Sequence, residues 1–262
     1  MISDKKNMLL AVLSGLLLTA SFPKIGLDWL AWVALVPLFA AIANLSVKKS
    51  FRIGFIAGLI HYLSLLYWVV PVMRTYGYLP LYLSIAILFL FAAVLALFPA
   101  VFSAAAAAIG RTPARCLITM PLLWIAVEYI RTHILTGFPW ALLGYSQYLR
   151  LHIIQMADLF GVYGVSFLIV LGNTAFFLVL SPITRQARQN KPISIRLRAA
   201  GVIFFVAGLL FTWAYGSWRI KTTDVLAAAS PSARLAVVQG NVDQAVKWNP
   251  AFQDATVKTH NR

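Results

Sequence analysis

The stretch TGFPWALLGYSQY, residues 136–148, lies between two long apolar runs at 117–135 and 157–181. It is too rich in Gly, Pro and amphipathic aromatics to extend either one. Gly137 and Pro139 interrupt a helix. Phe138, Trp140, Tyr145 and Tyr148 suit the headgroup layer of a bilayer, where a ring buries its body and keeps a polar tip wet. The stretch therefore reads as a loop at a membrane surface, held in place by the helices on either side. An ordinary aromatic belt at a helix end is the alternative on composition alone.

Working outward, the same alternation of apolar run and short polar break recurs along most of the chain. Of 262 residues, 61% are hydrophobic and 11% are charged, less than half the charge of a typical soluble domain. Runs of about 20 apolar residues, enough to cross a bilayer, can be drawn seven times: 8–22, 25–43, 51–72, 79–108, 117–135, 157–181 and 199–217. The fold class is thus a polytopic α-helical membrane bundle of about seven transmembrane helices. The first run is short and preceded by Lys5 and Lys6, like a signal peptide, but no convincing cleavage site follows, so it reads as a retained helix. The fourth is over-long, and Pro99 within it predicts a kink.

The net charge of +15 invites a nucleic-acid reading, which the distribution opposes. Basic residues sit in short clusters between apolar runs. With the N-terminus in the cytoplasm, the inward segments hold twelve: Lys5, Lys6, Lys48, Lys49, Arg52, Arg111, Arg115, Arg185, Arg188, Lys191, Arg196 and Arg198. The outward side holds four, Lys24, Arg74, Arg131 and Arg150. That asymmetry is the positive-inside pattern and sends the chain after residue 219 to the outer side. No nucleic acid is expected as a partner.

Composition changes after residue 220. Residues 221–232 read as a small-residue linker between a membrane domain at 1–220 and a soluble segment at 233–262. Within that segment ARLAVVQG, residues 233–240, has the β-branched character of a buried strand, and Asn249 with Pro250 marks a helix start.

Few residues carry chemistry. Glu128 is the one acidic residue in the middle of a run, and Trp124, Glu128 and Arg131 share a helical face. An unpaired carboxylate in a membrane is expensive, so Glu128 and Arg131 are expected to neutralise each other, either as a structural lock or as a grip on a lipid headgroup. Asp158 stands where a helix begins and is expected to cap it. The single cysteine, Cys116, excludes an internal disulfide, and its inward placement argues against a nucleophile. His61, His133, His152 and His260 lack ligand spacing, so no metal site and no cofactor are expected. Gly54 with Gly58, and Gly161 with Gly164, have the spacing of close helix contacts. Trp248, after Lys247, is either a packing residue of the soluble segment or an aromatic wall for an acyl chain.

Taken together, these residues resemble the bacterial apolipoprotein N-acyltransferases. The resemblance runs from Phe22-Pro23, Trp32 and Pro37-Leu38 through Gly54, Gly58, Trp68, Trp124, Glu128 and Arg131. It continues through residues 136–140 (TGFPW) and 144–147 (GYSQ), then Asp158, Gly161, Gly164, Ser166 and Asn173. It ends at residues 238–241 (VQGN) with Lys247-Trp248. The resemblance implies a multi-pass protein of the bacterial inner membrane carrying a periplasmic nitrilase-like domain, an α-β-β-α sandwich whose first strand is 233–239. It further implies that a cysteine thiolate takes an acyl chain from a phospholipid donor and passes it to the α-amine of a diacylated apolipoprotein acceptor, with a glutamate base and a lysine at the oxyanion. No catalytic residue of that set is matched here, so the expectation is a truncated and inactive portion of such an enzyme. Substrate-binding candidates are Trp248, Trp140, Phe138 and Tyr145, with Glu128 and Arg131 as structural or headgroup residues. A non-catalytic transporter or lipid-binding scaffold is the alternative, with no inverted repeat to support it.

Overall fold

A computed structural model describes residues 2–110, 112–180, 193–237, 239, 241–243, 247 and 249–260. Ten α-helices and three 3-10 turns make up its regular structure among these residues. Helix α1 spans Ile2–Ala20, and a 3-10 turn at Asp28–Trp32 leads into α2, Val36–Ile42. Then come α3 (Val47–Leu65), α4 (Val69–Gly77), α5 (Leu81–Ile109) and α6 (Pro113–His133). A second 3-10 turn at Leu143–Gln147 precedes the short α7 (Leu151–Ile154), α8 (Ala157–Leu180) and α9 (Ile195–Ala229).

Three helices, α5, α8 and α9, are each long and apolar enough to cross a membrane. The pair α3 and α4 qualifies as a fourth if taken as one span bent by 50°. The other runs of the predicted seven differ for identifiable reasons. The first falls on α1, whose opening turns carry Asp4, Lys5 and Lys6. Glu128 and Arg131 lower the apolar character of α6. The run at 25–43 is not one helix. Pro37, in the first turn of α2, has no N–H to continue a helix from the residues before it, so the chain breaks and restarts.

That break leaves backbone groups in the interior, and side chains meet them. Asn173 of α8 donates to the Ala31 carbonyl at 2.8 Å and accepts from the Leu35 N–H at 2.8 Å. Ser14 of α1 donates to the Ala34 carbonyl at 2.6 Å. Irregular backbone inside a membrane bundle is tolerated when protein groups satisfy it in this way.

Helix α3 packs closely along α5. A Cβ on Gly58 would approach the Ala96 Cα to 3.0 Å, and one on Gly54 would overlap the Pro99 carbonyl oxygen. The close-contact reading of this glycine pair therefore holds. In the centre, Phe102 of α5 meets Phe39 of α2 and, edge to face at 5.0 Å, Trp124 of α6. The Lys49–Asp4 pair at 3.5 Å brings the starts of α1 and α3 to one end of the bundle. The loop after α6 and the Asp28–Trp32 turn meet at the other end.

Helix α8 is broken at Gly161, whose backbone is non-helical at φ 60°. Only 17% of the apolar window of α9 is buried, so this helix flanks the bundle. It begins at Ser194, whose hydroxyl accepts the Leu197 N–H at 3.3 Å, and continues to Ala229. The linker expected at 221–232 is thus mostly helical, because its Ala-rich composition favours a helix when a long one already precedes it. Residues 233–237 and 239, expected as a strand, form no strand ladder among the described residues. Leu235 and Val237 are 90% and 94% exposed. Val238 and Gly240 lie outside the described residues. The helix start expected at Asn249-Pro250 is present. Asn249 accepts the Ala251 N–H at 3.0 Å and opens a 3-10 turn, Pro250–Phe252, that runs into α10, Gln253–His260.

Candidate functional site

Residues 134–150 close one end of the bundle, and their fixation begins on α6. Trp124, Glu128 and Arg131 point from one face of that helix and are all buried. Glu128 and Arg131 do not neutralise each other as the sequence suggested: no ion pair joins them among the described residues. Each is used on the loop that follows. The Glu128 Oε1 accepts the Leu143 N–H at 2.7 Å. The Arg131 Nη2 donates to the Ala141 carbonyl at 3.1 Å, while Nη1 donates to the Tyr62 hydroxyl of α3. The guanidinium also stands 5.5 Å from the centre of the Tyr62 ring. Spacing of three residues on a helix set both side chains on one face, but the backbone donors and acceptors of the loop were nearer.

The loop makes further contacts of the same kind. The Phe138 N–H bonds the Arg131 carbonyl at 2.9 Å and closes the end of α6. The Gly144 N–H donates to the Ser166 hydroxyl of α8 at 2.9 Å. A Cβ at Gly144 would come within 2.6 Å of the Val162 carbonyl oxygen, so this approach to α8 requires glycine. Gln147 is 1% exposed. Its amide donates to the Asp28 carbonyl at 3.0 Å and accepts the Trp32 indole N–H at 3.1 Å. Arg150 grips the Asp28 carboxylate with two hydrogen bonds, 2.5 and 2.9 Å long. Those bonds and the Arg150 charge hold the Asp28 carboxyl below the usual carboxylate range, against the opposing effect of burial.

Ser146 and Gln147 of the loop thus face inward and its large aromatics face out. Trp140, Tyr145 and Tyr148 are 60%, 45% and 48% exposed. Phe138, half-buried, stacks on Trp140 with centroids 5.4 Å apart and meets Phe91 of α5 edge-on at 5.0 Å. Of the substrate candidates, Phe138 and Trp140 are in contact and Tyr145 lies further along the same loop. Trp248 lies outside the described residues.

Asp158 lies inside the first turn of α8, and its carboxylate, expected to cap the helix, is turned to α9 instead. Its carboxylate receives Arg219 and, at 3.2 Å, the Tyr215 hydroxyl, both from α9. Sequence reasoning missed Asp28 altogether. Its signal was a lone acid between an apolar stretch and two tryptophans, with an unmatched Arg150 on a distant loop of the same side.

The arrangement has relatives. Residues 14–175 match the family model described as the apolipoprotein N-acyltransferase N-terminal domain. An apolipoprotein N-acyltransferase of Geobacter metallireducens is 41% identical over 258 residues, covering 98% of this chain and 48% of the relative. Those of Methylococcus capsulatus and Chromobacterium violaceum are 30% and 28% identical, over 97% of this chain. The chain spans about half the length of these curated relatives, 48% and 46% in the latter two. With more than half of its residues inside the family model, the chain belongs to the apolipoprotein N-acyltransferase family.

Proposed function

We propose that this chain is the membrane portion of an enzyme that N-acylates lipoproteins, and that the loop at 134–150 presents lipid to the reaction. The observation that carries this reading is the division of the loop into two faces. Its backbone and polar side chains are committed to Glu128, Arg131, Ser166, Asp28 and Trp32. Its rings Trp140, Tyr145 and Tyr148 stay exposed. An aromatic platform fixed by buried hydrogen bonds can dock an acyl chain without ordering itself first, which lowers the entropic cost of binding.

In this reading the helices form a seven-span bundle of the bacterial inner membrane, with the N-terminus cytoplasmic and the loop and residues 230–262 on the periplasmic side. Residues 233–239 are the opening strand of a nitrilase-like domain, and Trp248 contributes to the same lipid surface. The chemistry is acyl transfer in two steps. A thiolate attacks the phospholipid ester carbonyl, the acyl–oxygen bond breaks and the released alkoxide takes a proton, leaving a thioester. The free α-amine of a diacylated apolipoprotein then attacks the thioester and regenerates the thiol. The thiol, base and oxyanion lysine come from sequence outside residues 1–262, and this chain supplies anchoring and presentation.

The test is acyl transfer to a diacylated lipopeptide in vitro by the protein that carries this chain together with its downstream sequence. Trp140→Ala and Phe138→Ala are expected to raise KM for the phospholipid donor while leaving abundance unchanged. Unaltered kinetics in both variants would remove the loop from lipid presentation. A reporter fused at Pro231 is expected to be active in the periplasm, and activity in the cytoplasm would overturn the orientation.

A further inference from the structure

Three buried polar atoms on one face of α6, Trp124 Nε1, Glu128 Oε2 and Arg131 Nε, make no hydrogen bond of normal geometry among the described residues, although the Trp124 indole and the Ser166 hydroxyl both stand near the Glu128 carboxylate. Trp124, Glu128 and Arg131 are 9%, 3% and 4% exposed. All three residues line one cavity of about 20 Å³, which Tyr62 of α3 and Phe98 and Pro99 of α5 also line. Leaving such groups unmet in an apolar interior is costly, and a site that carries three together calls for a common ligand.

The chemistry of the lining selects that ligand. Trp124 and Arg131 present N–H donors, and the Glu128 carboxylate presents an acceptor. A cation is disfavoured by Arg131 and finds one anionic ligand where it needs several oxygens. An anion is disfavoured by Glu128. The space is of the size that one water molecule fills. Water both donates and accepts, so it fits a site of two donors and one acceptor.

We propose that one structural water occupies this cavity, donating to Glu128 Oε2 and accepting from Trp124 Nε1 and Arg131 Nε. Its role is positional. The Glu128 carboxylate has one oxygen on the Leu143 N–H, and the water fixes the other, so the carboxylate cannot rotate away from the loop. The water thereby extends the anchoring of residues 141–144 from α6 to the α3 and α5 walls of the cavity. This holds whether or not the loop presents lipid.

The test is a density map of the full chain in lipid nanodiscs, at a resolution that shows ordered water. The expected result is a peak within about 2.6–3.2 Å of Glu128 Oε2 and of at least one of the two N–H groups. Well-defined side chains with no peak, or Trp124 bonded directly to Glu128, would overturn the proposal. A second measurement uses Trp124→Phe, which keeps a ring and removes the donor. Amide exchange at Leu143 is expected to quicken about three- to tenfold, the loss of one net hydrogen bond, while amides of α8 stay unchanged. An unchanged Leu143 rate in a folded variant counts against the water's role. If that variant does not accumulate, the map of the unsubstituted chain decides.

Discussion

Glu128 of α6 and Leu143 of the following loop are joined by a 2.7 Å hydrogen bond from a buried N–H to a buried carboxylate. They are fifteen residues apart, and the chain between them makes two sharp turns at positive φ, at Leu135 and Gly137, and a third at Ala141. A loop bent this often does not hold its shape by local preference. It is held by the acidic side chain it has doubled back to meet.

Glu128→Leu should therefore loosen the loop without breaking α6. It strands the Leu143 N–H, for about 1–3 kcal/mol. Glu128→Gln keeps an acceptor of the same shape and should lose less. Limited proteolysis between residues 134 and 150, together with Tm in nanodiscs, separates the two. Equal protection in wild type and Glu128→Leu would show that the bond is not what holds the loop.

Ala141 sits at φ 58°, a left-handed conformation that costs a non-glycine residue about 1 kcal/mol. The Arg131 guanidinium on its carbonyl fixes it there. Ala141→Gly should raise Tm or leave it unchanged, since relief of strain is offset by the greater freedom of glycine in the unfolded chain. Ala141→Val, β-branched, should lower it. A destabilised glycine variant together with an unaffected valine variant would contradict the left-handed assignment.

The Asp28–Arg150 pair sets an acid limit. Because the Asp28 carboxyl is held below its ordinary value, the folded state binds its proton less readily than the unfolded chain. The stabilisation is complete above the ordinary carboxylate range and disappears as pH falls through the lowered value. Thermal stability of wild type should drop as pH falls below about 5, the upper edge of the ordinary carboxylate range, and Asp28→Asn should flatten that limb while lowering stability at neutral pH. Arg150 is largely solvent-accessible, so salt should weaken the effect in part. Identical acid limbs in wild type and Asp28→Asn would assign the acid limit to other carboxylates.

The sequence made the helical membrane character legible because apolar runs of bilayer length survive any tertiary context. It also made the loop legible, since Gly137, Pro139 and four aromatics cannot belong to either neighbouring run. The partners of Glu128 and Arg131 were not legible. Both reach backbone groups of a loop whose path is set by tertiary contacts, and a backbone N–H carries no residue identity to read. The interruption near Pro37 was half visible: proline marks the break, but only the fold shows that Asn173 and Ser14 satisfy the exposed groups. The Ala-rich segment at 222–229 misled for the opposite reason, because its composition suits a linker and a helix equally.

Asn173 offers the sharpest separation of donor from acceptor roles. Its Nδ2 donates to Ala31 and, within α8, to Ile169 at 2.9 Å, while its Oδ1 accepts from Leu35. It is fully buried at the junction of α8 with the broken segment before α2. Asn173→Leu abandons both sides and should cost about 2–5 kcal/mol, a sum of stranded groups. Asn173→Asp keeps the acceptor but turns its donor side toward two carbonyl oxygens, so it should be as damaging or worse, despite its similar size. Tm in nanodiscs ranks the variants, and the reactivity of a cysteine placed at Ala34 reports whether the segment has opened. If Asn173→Asp is as stable as wild type, the donor side contributes nothing and the break is held by the Leu35 N–H bond, Ser14 and packing.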